Sequence, residues 1–182
     1  MDRIRKAALL TRLVEKLRAK GSWCGETHIQ KAAFLLQDLT KVPTGFDFIL
    51  YKHGPFSFDL RDELTSLRAD ELLRLEPQSP PYGPRIALTN RAEYVQKLCS
   101  KTLEKYDDHI EFVAEKLGTK GVAQLERVAT AVFVTERMEG TPDERVEQFT
   151  EFKPHISRDS AAAAIGEADG ILKEWFRREA AH

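Results

Sequence analysis

Apolar positions recur at helical spacing over most of this chain, and at strand spacing in three short stretches. Residues 3–20 put Ala7, Leu10, Val14 and Leu17 on one stripe, which predicts a first helix. Its other face is basic, carrying Arg3, Arg5, Lys6, Arg12, Lys16, Arg18 and Lys20. Gly21-Ser22 ends that helix, and Trp23-Cys24-Gly25 reads as a short apolar loop plugged into the core. A second helix is expected from Thr27, where Thr27 and Gln30 have the spacing of a capping box. Ile29, Ala32, Ala33, Leu36 and Leu39 form its apolar face.

The stretch from Gly45 to Leu73 organises the rest. Phe46 to Tyr51 is an aromatic, strand-prone run. His53-Gly54-Pro55 breaks it, because Gly reaches unusual backbone angles and Pro fixes its own. Ser57 then caps a third helix, Asp59 suits the positive end of its dipole, and Leu60, Leu64 and Leu67 face a core. Leu72–Glu76 and Arg85–Thr89 read as two short strands around the Pro-rich loop 77–84. Three helices followed by a small hairpin is the layout of a winged helix. Asn90 with Glu93 suggests the cap of a helix over 91–105.

Beyond it the pattern is all helical. Ile110, Val113, Ala114 and Leu117 mark one helix, and Val122 to Phe133 a long apolar one. Thr141-Pro142-Asp143-Glu144 is a strong helix start. Ser157–Arg178 is a last helix with Ala161, Ile165, Leu172, Trp175 and Phe176 turned inward. The expected fold is mainly α (α+β). A winged-helix-like part, 1–90, carries the small β hairpin, and a helical part, 91–182, packs on it in one compact domain.

Charge changes the picture in one respect. The 182 residues carry a net charge of -1, which argues against general binding of polyanions. Residues 1–90 hold 14 Lys+Arg against 11 Asp+Glu, whereas residues 91–182 hold 14 against 18. The N-terminal part therefore has a modest basic excess that the total hides. Two isolated cysteines, Cys24 and Cys99, make neither a disulfide framework nor a zinc pattern, and suggest a reducing, cytoplasmic setting. No leader-like or membrane-spanning apolar run is present in the sequence.

Candidate chemistry is sparse. His28, His53, His109, His155 and His182 are scattered, without metal-ligand spacing. Phosphate-binding loops and nucleophile elbows are absent. No metal, cofactor or catalytic residue is therefore assigned, and Asp107-Asp108 reads as a helix cap. His53 stands at the Gly-Pro corner, where a ring more often caps its turn, or packs under Phe56, than performs chemistry. Phe56, Phe58, Tyr82 and the Pro-rich loop are equally readable as core or as an exposed apolar rim that marks a protein partner.

The run Tyr51-Lys52-His53-Gly54-Pro55-Phe56-Ser57, with Leu60, Leu64, Leu67 and Leu72-Leu73 after it, carries a resemblance. Together with Ile29-Gln30-Lys31-Ala32-Ala33-Phe34-Leu35-Leu36 and Ile86-Ala87-Leu88-Thr89, it resembles the YwgA-like proteins. More distantly it is similar to the Panacea or SocA-like antitoxin domains. The match covers about residues 25–95, and Lys153-Pro154 extends it. The resemblance implies a mostly helical bacterial domain, associated with toxin–antitoxin and phage-related loci, that binds rather than catalyses. The expectation is that this chain departs from the family in standing alone, without a fused DNA-binding or enzymatic domain.

Two functions follow as expectations. The first is an antitoxin-like protein that binds a partner protein through Tyr51, Lys52, His53, Phe56, Phe58, Arg61, Arg68 and Tyr82. The alternative is a winged-helix DNA-binding transcriptional regulator using Arg3, Arg5, Lys6, Arg12, Arg61, Thr65 and Arg68. Asp59, Asp62 and Glu63 count against the regulator, because carboxylates at that helix start repel phosphate. A homodimer through 121–139 is a further expectation, since that helix carries more apolar residues than one buried face needs.

Overall fold

The computed structural model describes residues 1–80 and 82–181. Helices α1 (Arg3–Ala19) and α2 (Glu26–Asp38) come first, then strands β1 (Ile49–Tyr51) and β2 (Gly54–Phe56). Helix α3 (Phe58–Ala69) leads to β3 (Leu73–Glu76) and β4 (Arg85–Leu88). Helices α4 (Asn90–Leu98), α5 (Ser100–Leu117), α6 (Val122–Arg137), α7 (Pro142–Phe152) and α8 (Arg158–Glu179) complete the chain. The protein is mainly helical, with two small antiparallel hairpins, β1–β2 and β3–β4.

Helix α2 is the axis. Nine consecutive residues, His28 to Leu36, are buried, and α1, α3, α5, α6 and β2 all pack on it. A helix buried all round is unusual for a surface-capped element and marks the centre of a core. Helices α6, α7 and α8 pack together on one side, and α1, α4 and α5 on the other. One apolar cluster runs from Ala7 on α1 to Trp175 on α8, so the packing crosses residue 90 without a break.

Several local expectations are met. Ser57 accepts from the Leu60 N–H and caps α3. Thr141 and Glu144 form the full reciprocal capping box of α7. Cys24 is buried at the end of α1, where desolvation pushes its thiol up to about 12 and keeps it protonated.

Others are corrected. Helix α2 starts at Glu26 with Gly25 as its cap and no side-chain bond there, because the Gln30 side chain is committed elsewhere. Thr89, not Asn90, caps α4. The helix expected over 91–105 breaks at Cys99, and its second half is continuous with the helix around Ile110. Asp107 and Asp108 therefore lie inside α5, facing Arg12 and Arg178, rather than at a cap. Phe176 is exposed, one position past the inward stripe of α8. The strand expected from Phe46 shrinks to Ile49–Tyr51, because buried Phe46 and Phe48 pack edge-on beside each other in an irregular segment. The apolar excess of α6 is internal. Leu125, Val128, Ala129, Thr130, Ala131, Val132 and Val134 are buried against α2, β2, α7 and α8. The reason for expecting a homodimer through this helix is thereby removed. Among the described residues no helix is long and apolar enough to cross a membrane.

Phe112 sits at the junction of α5 and α8, fully buried, its ring 5.1 Å from that of Trp175. Phe112→Ala should destabilise the protein by about 3–5 kcal/mol. Urea unfolding followed by circular dichroism measures the loss.

Candidate partner-binding surface

Hairpin β1–β2 is a three-pair ladder, Ile49 with Phe56, Leu50 with Pro55 and Tyr51 with Gly54. So short a hairpin is not stable alone. It is held from beneath by polar side chains of buried helices. Gln30 on α2 grips Ser57 twice: its Nε2 donates to the Ser57 carbonyl at 2.9 Å, and its Oε1 accepts from the Ser57 N–H at 3.0 Å. The next residue, Lys31, is 1% exposed and donates from Nζ to the Pro55 carbonyl at 2.9 Å. Lys153, after α7, donates to the Lys52 carbonyl at 2.7 Å, and Arg137 at the end of α6 donates to that of Phe48. Three cations thus satisfy carbonyls that the two-stranded ladder leaves unpaired.

Burial shifts both lysines. Desolvation pulls Lys31 down to about 8, opposed by the nearby Glu126 and reinforced by Lys153. Lys153 is lowered by desolvation and opposed by Glu126. Glu126 on α6 also lies 3.1 Å from Nδ1 of His53 at the hairpin tip. His53 therefore stays at the surface, its ring tied to α6 rather than packed under Phe56.

Gly54 is where the hairpin comes closest to α6. Its φ is +88°, and a Cβ there would lie 2.8 Å from the Thr130 hydroxyl oxygen. Both facts demand glycine. The hydroxyl of Thr130 is buried without a hydrogen-bond partner among the described residues, consistent with a backbone pressed directly against it.

What this scaffold presents outward is aromatic. Tyr51, Phe56 and Phe58 form a mutual cluster, with ring centroids 5.9, 5.9 and 5.1 Å apart. Tyr51 is 56% exposed and Phe58 42% exposed, with exposed Ile49 opposite Phe56 on the ladder. The Arg61 guanidinium lies over Phe58, 5.1 Å from its centroid. Of the expected partner-binding residues, Tyr51, Phe56, Phe58 and Arg61 are thus adjacent, with Lys52 and His53 at the tip beside them. Arg68 lies two turns along α3. Tyr82 stacks on Trp23 at 4.9 Å, on the far side of a cleft that Arg61 and Arg68 line. Pro81 of the expected loop 77–84, and His182, lie outside the described residues.

The basic face of α1 is occupied by the protein's own carboxylates. Arg3 pairs with Glu63 and Asp70, Arg5 with Asp2, and Arg12 with Glu15 and Asp107. Lys16 reaches Asp107 and Glu111, Lys20 reaches Glu111, and Arg18 reaches Glu76. Lys6 lies over the Phe46 ring. Glu63 is thereby turned toward α1, leaving Asp59 and Asp62 as the exposed acids of the first turns of α3. Thr65 donates to the Arg61 carbonyl and accepts from Arg68, so that face is partly tied up within the helix.

Gln30, Lys31, Thr130, Glu126, Arg137 and Lys153 were not singled out from the sequence as site residues. One signal was present: Gln30-Lys31 interrupts an otherwise apolar helical run. Among the described residues, no three of His, Cys, Asp and Glu gather as a metal-binding group. Fold and surface together define a mainly helical protein that displays an aromatic hairpin on a buried cationic cradle. No protein-family model matches the chain, and no curated protein is significantly similar to it.

Gly54→Ala should cost about 2–4 kcal/mol, through the positive φ and the clash with Thr130; the same unfolding measurement tests it. Lys31 yields a pH dependence of defined sign. Its folded pKa is about 8, below lysine's ordinary value of 10.5, so between those values the unfolded chain binds more protons. The cost of burying the ammonium is present in full below about pH 8 and is relieved as pH rises toward 10.5. Relative to Lys31→Met, the wild type should gain stability across that window, by on the order of 3 kcal/mol at most. A flat difference from pH 7.5 to 10 would count against a charged, buried Lys31.

Proposed function

We propose that this protein is a non-catalytic bacterial binding protein, antitoxin-like, that acts in the cytoplasm by binding a partner protein such as a toxin or a defence- or phage-related protein. The observation that carries this reading is the aromatic cluster of exposed Tyr51 and Phe58 with half-buried Phe56, beside Arg61. Aromatic residues and arginine dominate the energetics of protein interfaces, and adjacent exposed apolar rings mark such surfaces. A rigid support adds to the case, because a preordered surface loses little freedom on binding. The resemblance of the same stretch to YwgA-like proteins, and more distantly to Panacea or SocA-like antitoxin domains, points the same way.

Three helices, α1 to α3, followed by the β3–β4 hairpin favour a second reading, a winged-helix DNA-binding regulator with β3–β4 as the wing, although the β1–β2 hairpin is inserted between α2 and α3. Its electrostatics are less favourable. Affinity for DNA comes mainly from cations free to meet phosphate, and those of α1 already meet carboxylates or an aromatic ring.

A pull-down of the tagged protein from its own cell lysate, after nuclease treatment and at low and high salt, separates the two. The expected result is one protein retained at high salt. Tyr51→Ser with Phe58→Ser should reduce its retention at least ~10-fold while leaving the fold intact, since both rings are exposed. Retention of nucleic acid alone, lost on adding salt, would move the assignment to the regulator.

A further inference from the structure

A cleft of about 300 Å³ lies between the start of α2, helix α3 and the β3–β4 arm. Arg61 and Arg68, two helical turns apart on α3, both line it, and Trp23, Leu64, Pro84 and Ile86 supply apolar wall. Glu26 is its one acidic lining residue and is exposed. His28, the other titratable lining group, is buried, and desolvation lowers its pKa, so its ring is uncharged at neutral pH. The lining therefore carries a net positive charge.

The two guanidiniums differ from the protein's structural arginines. Arg137, Arg145 and Arg178 each hold a carboxylate through short hydrogen bonds. Among the described residues Arg61 has one carboxylate near it, that of Asp62 at 3.6 Å, a side chain that is 76% exposed. Arg68 donates to the Thr65 hydroxyl at 2.8 Å and makes no ion pair among the described residues. Two weakly paired arginines facing an apolar-walled cleft are complementary to a carboxylate, which a guanidinium binds through paired N–H···O bonds. Arg61 also lies over Phe58, so the cleft is continuous with the aromatic cluster.

We propose that this cleft receives an acidic segment of the partner protein, with a carboxylate entering between Arg61 and Arg68 while a neighbouring apolar side chain packs on Phe56 and Phe58. This rests on the protein-partner reading and gives that partner a chemistry. Glu26 opposes the incoming charge and limits the affinity.

The test is selection of a random dodecapeptide phage library on the intact protein near physiological salt. Enriched peptides are then synthesised, and their affinity is measured by fluorescence polarisation. Enriched sequences should carry Asp or Glu within a few residues of an aromatic or aliphatic side chain. Arg61→Glu with Arg68→Glu should weaken them at least ~30-fold, and Glu26→Gln should tighten them a few-fold. Thermal melts establish that the variants fold; if Arg68→Glu does not, Arg61→Glu and Glu26→Gln carry the test. Failure to select any peptide, absence of acidic enrichment, or equal binding to the charge-reversed protein overturns the inference. If Tyr51→Ser with Phe58→Ser still abolishes retention of the lysate partner in those cases, the aromatic surface stands without the acidic cleft. Labelled duplex DNA, titrated in parallel, overturns it in favour of nucleic acid if it binds more tightly than the peptides and is lost on charge reversal.

Discussion

A buried ammonium cannot be left without oxygen partners, and that requirement shapes the centre of this protein. Lys31 lies on a helix buried on every side, so the backbone it bonds has to come to it. The Pro55 carbonyl does so, with Gln30 holding Ser57 one position further on. The grip brings Gly54 against Thr130 on α6, where only a residue without a Cβ fits. Lys153 and Arg137 then close the other side of the hairpin. The surface aromatic cluster is a consequence: with its backbone gripped from below, the hairpin and the start of α3 turn Tyr51 and Phe58 outward, with Phe56 half-buried against them.

Charge is organised at a larger scale. The basic excess of the N-terminal half and the acidic excess of the C-terminal half meet where α1 packs on α5. Lys16 and Lys20 converge there on Glu111, whose carboxyl is held below its usual range by hydrogen bonds from both. Half-buried pairs this near the surface contribute modestly each to stability. Their larger effect is on the outer field, because cations that read as a nucleic-acid patch are already matched. Arg61 and Arg68 are left with weaker partners, and they lie beside the aromatic surface. The cations left with the fewest carboxylate partners thus lie on that side of α3 rather than on the face of α1.

Much of the local structure was legible along the chain. Ser57 and Thr141 cap where short side-chain acceptors precede an apolar stripe, since a cap needs nothing beyond its own first turn. The hairpin β3–β4 follows from two apolar runs around a proline-rich loop. Elements that depend on distant partners were not legible. Gln30 has the spacing of a capping box but spends its amide on Ser57, 27 residues away. The break at Cys99 between α4 and α5 has no proline or glycine to announce it. The short β1–β2 ladder is supported by Lys31, Lys153 and Arg137, which bond the carbonyls of Pro55, Lys52 and Phe48 in and beside it, and no residue within it encodes that support.

Helical class, the caps, the Gly-Pro corner and the charge asymmetry belong to the sequence by itself, because they arise from spacing, backbone preference and composition. Tertiary structure alone decided which charges are satisfied and which face outward. It put the apolar surplus of α6 into the core rather than at a dimer face, and it matched Arg12, Lys16 and Lys20 of the first helix region with carboxylates on α5, some 90 residues or more away. It also turned two lysines of α2 and the α7 end into the seat of a hairpin. The physical reason is common to all three. A side chain's partner is chosen by proximity after folding, and contacts between distant segments leave no periodic trace in either one.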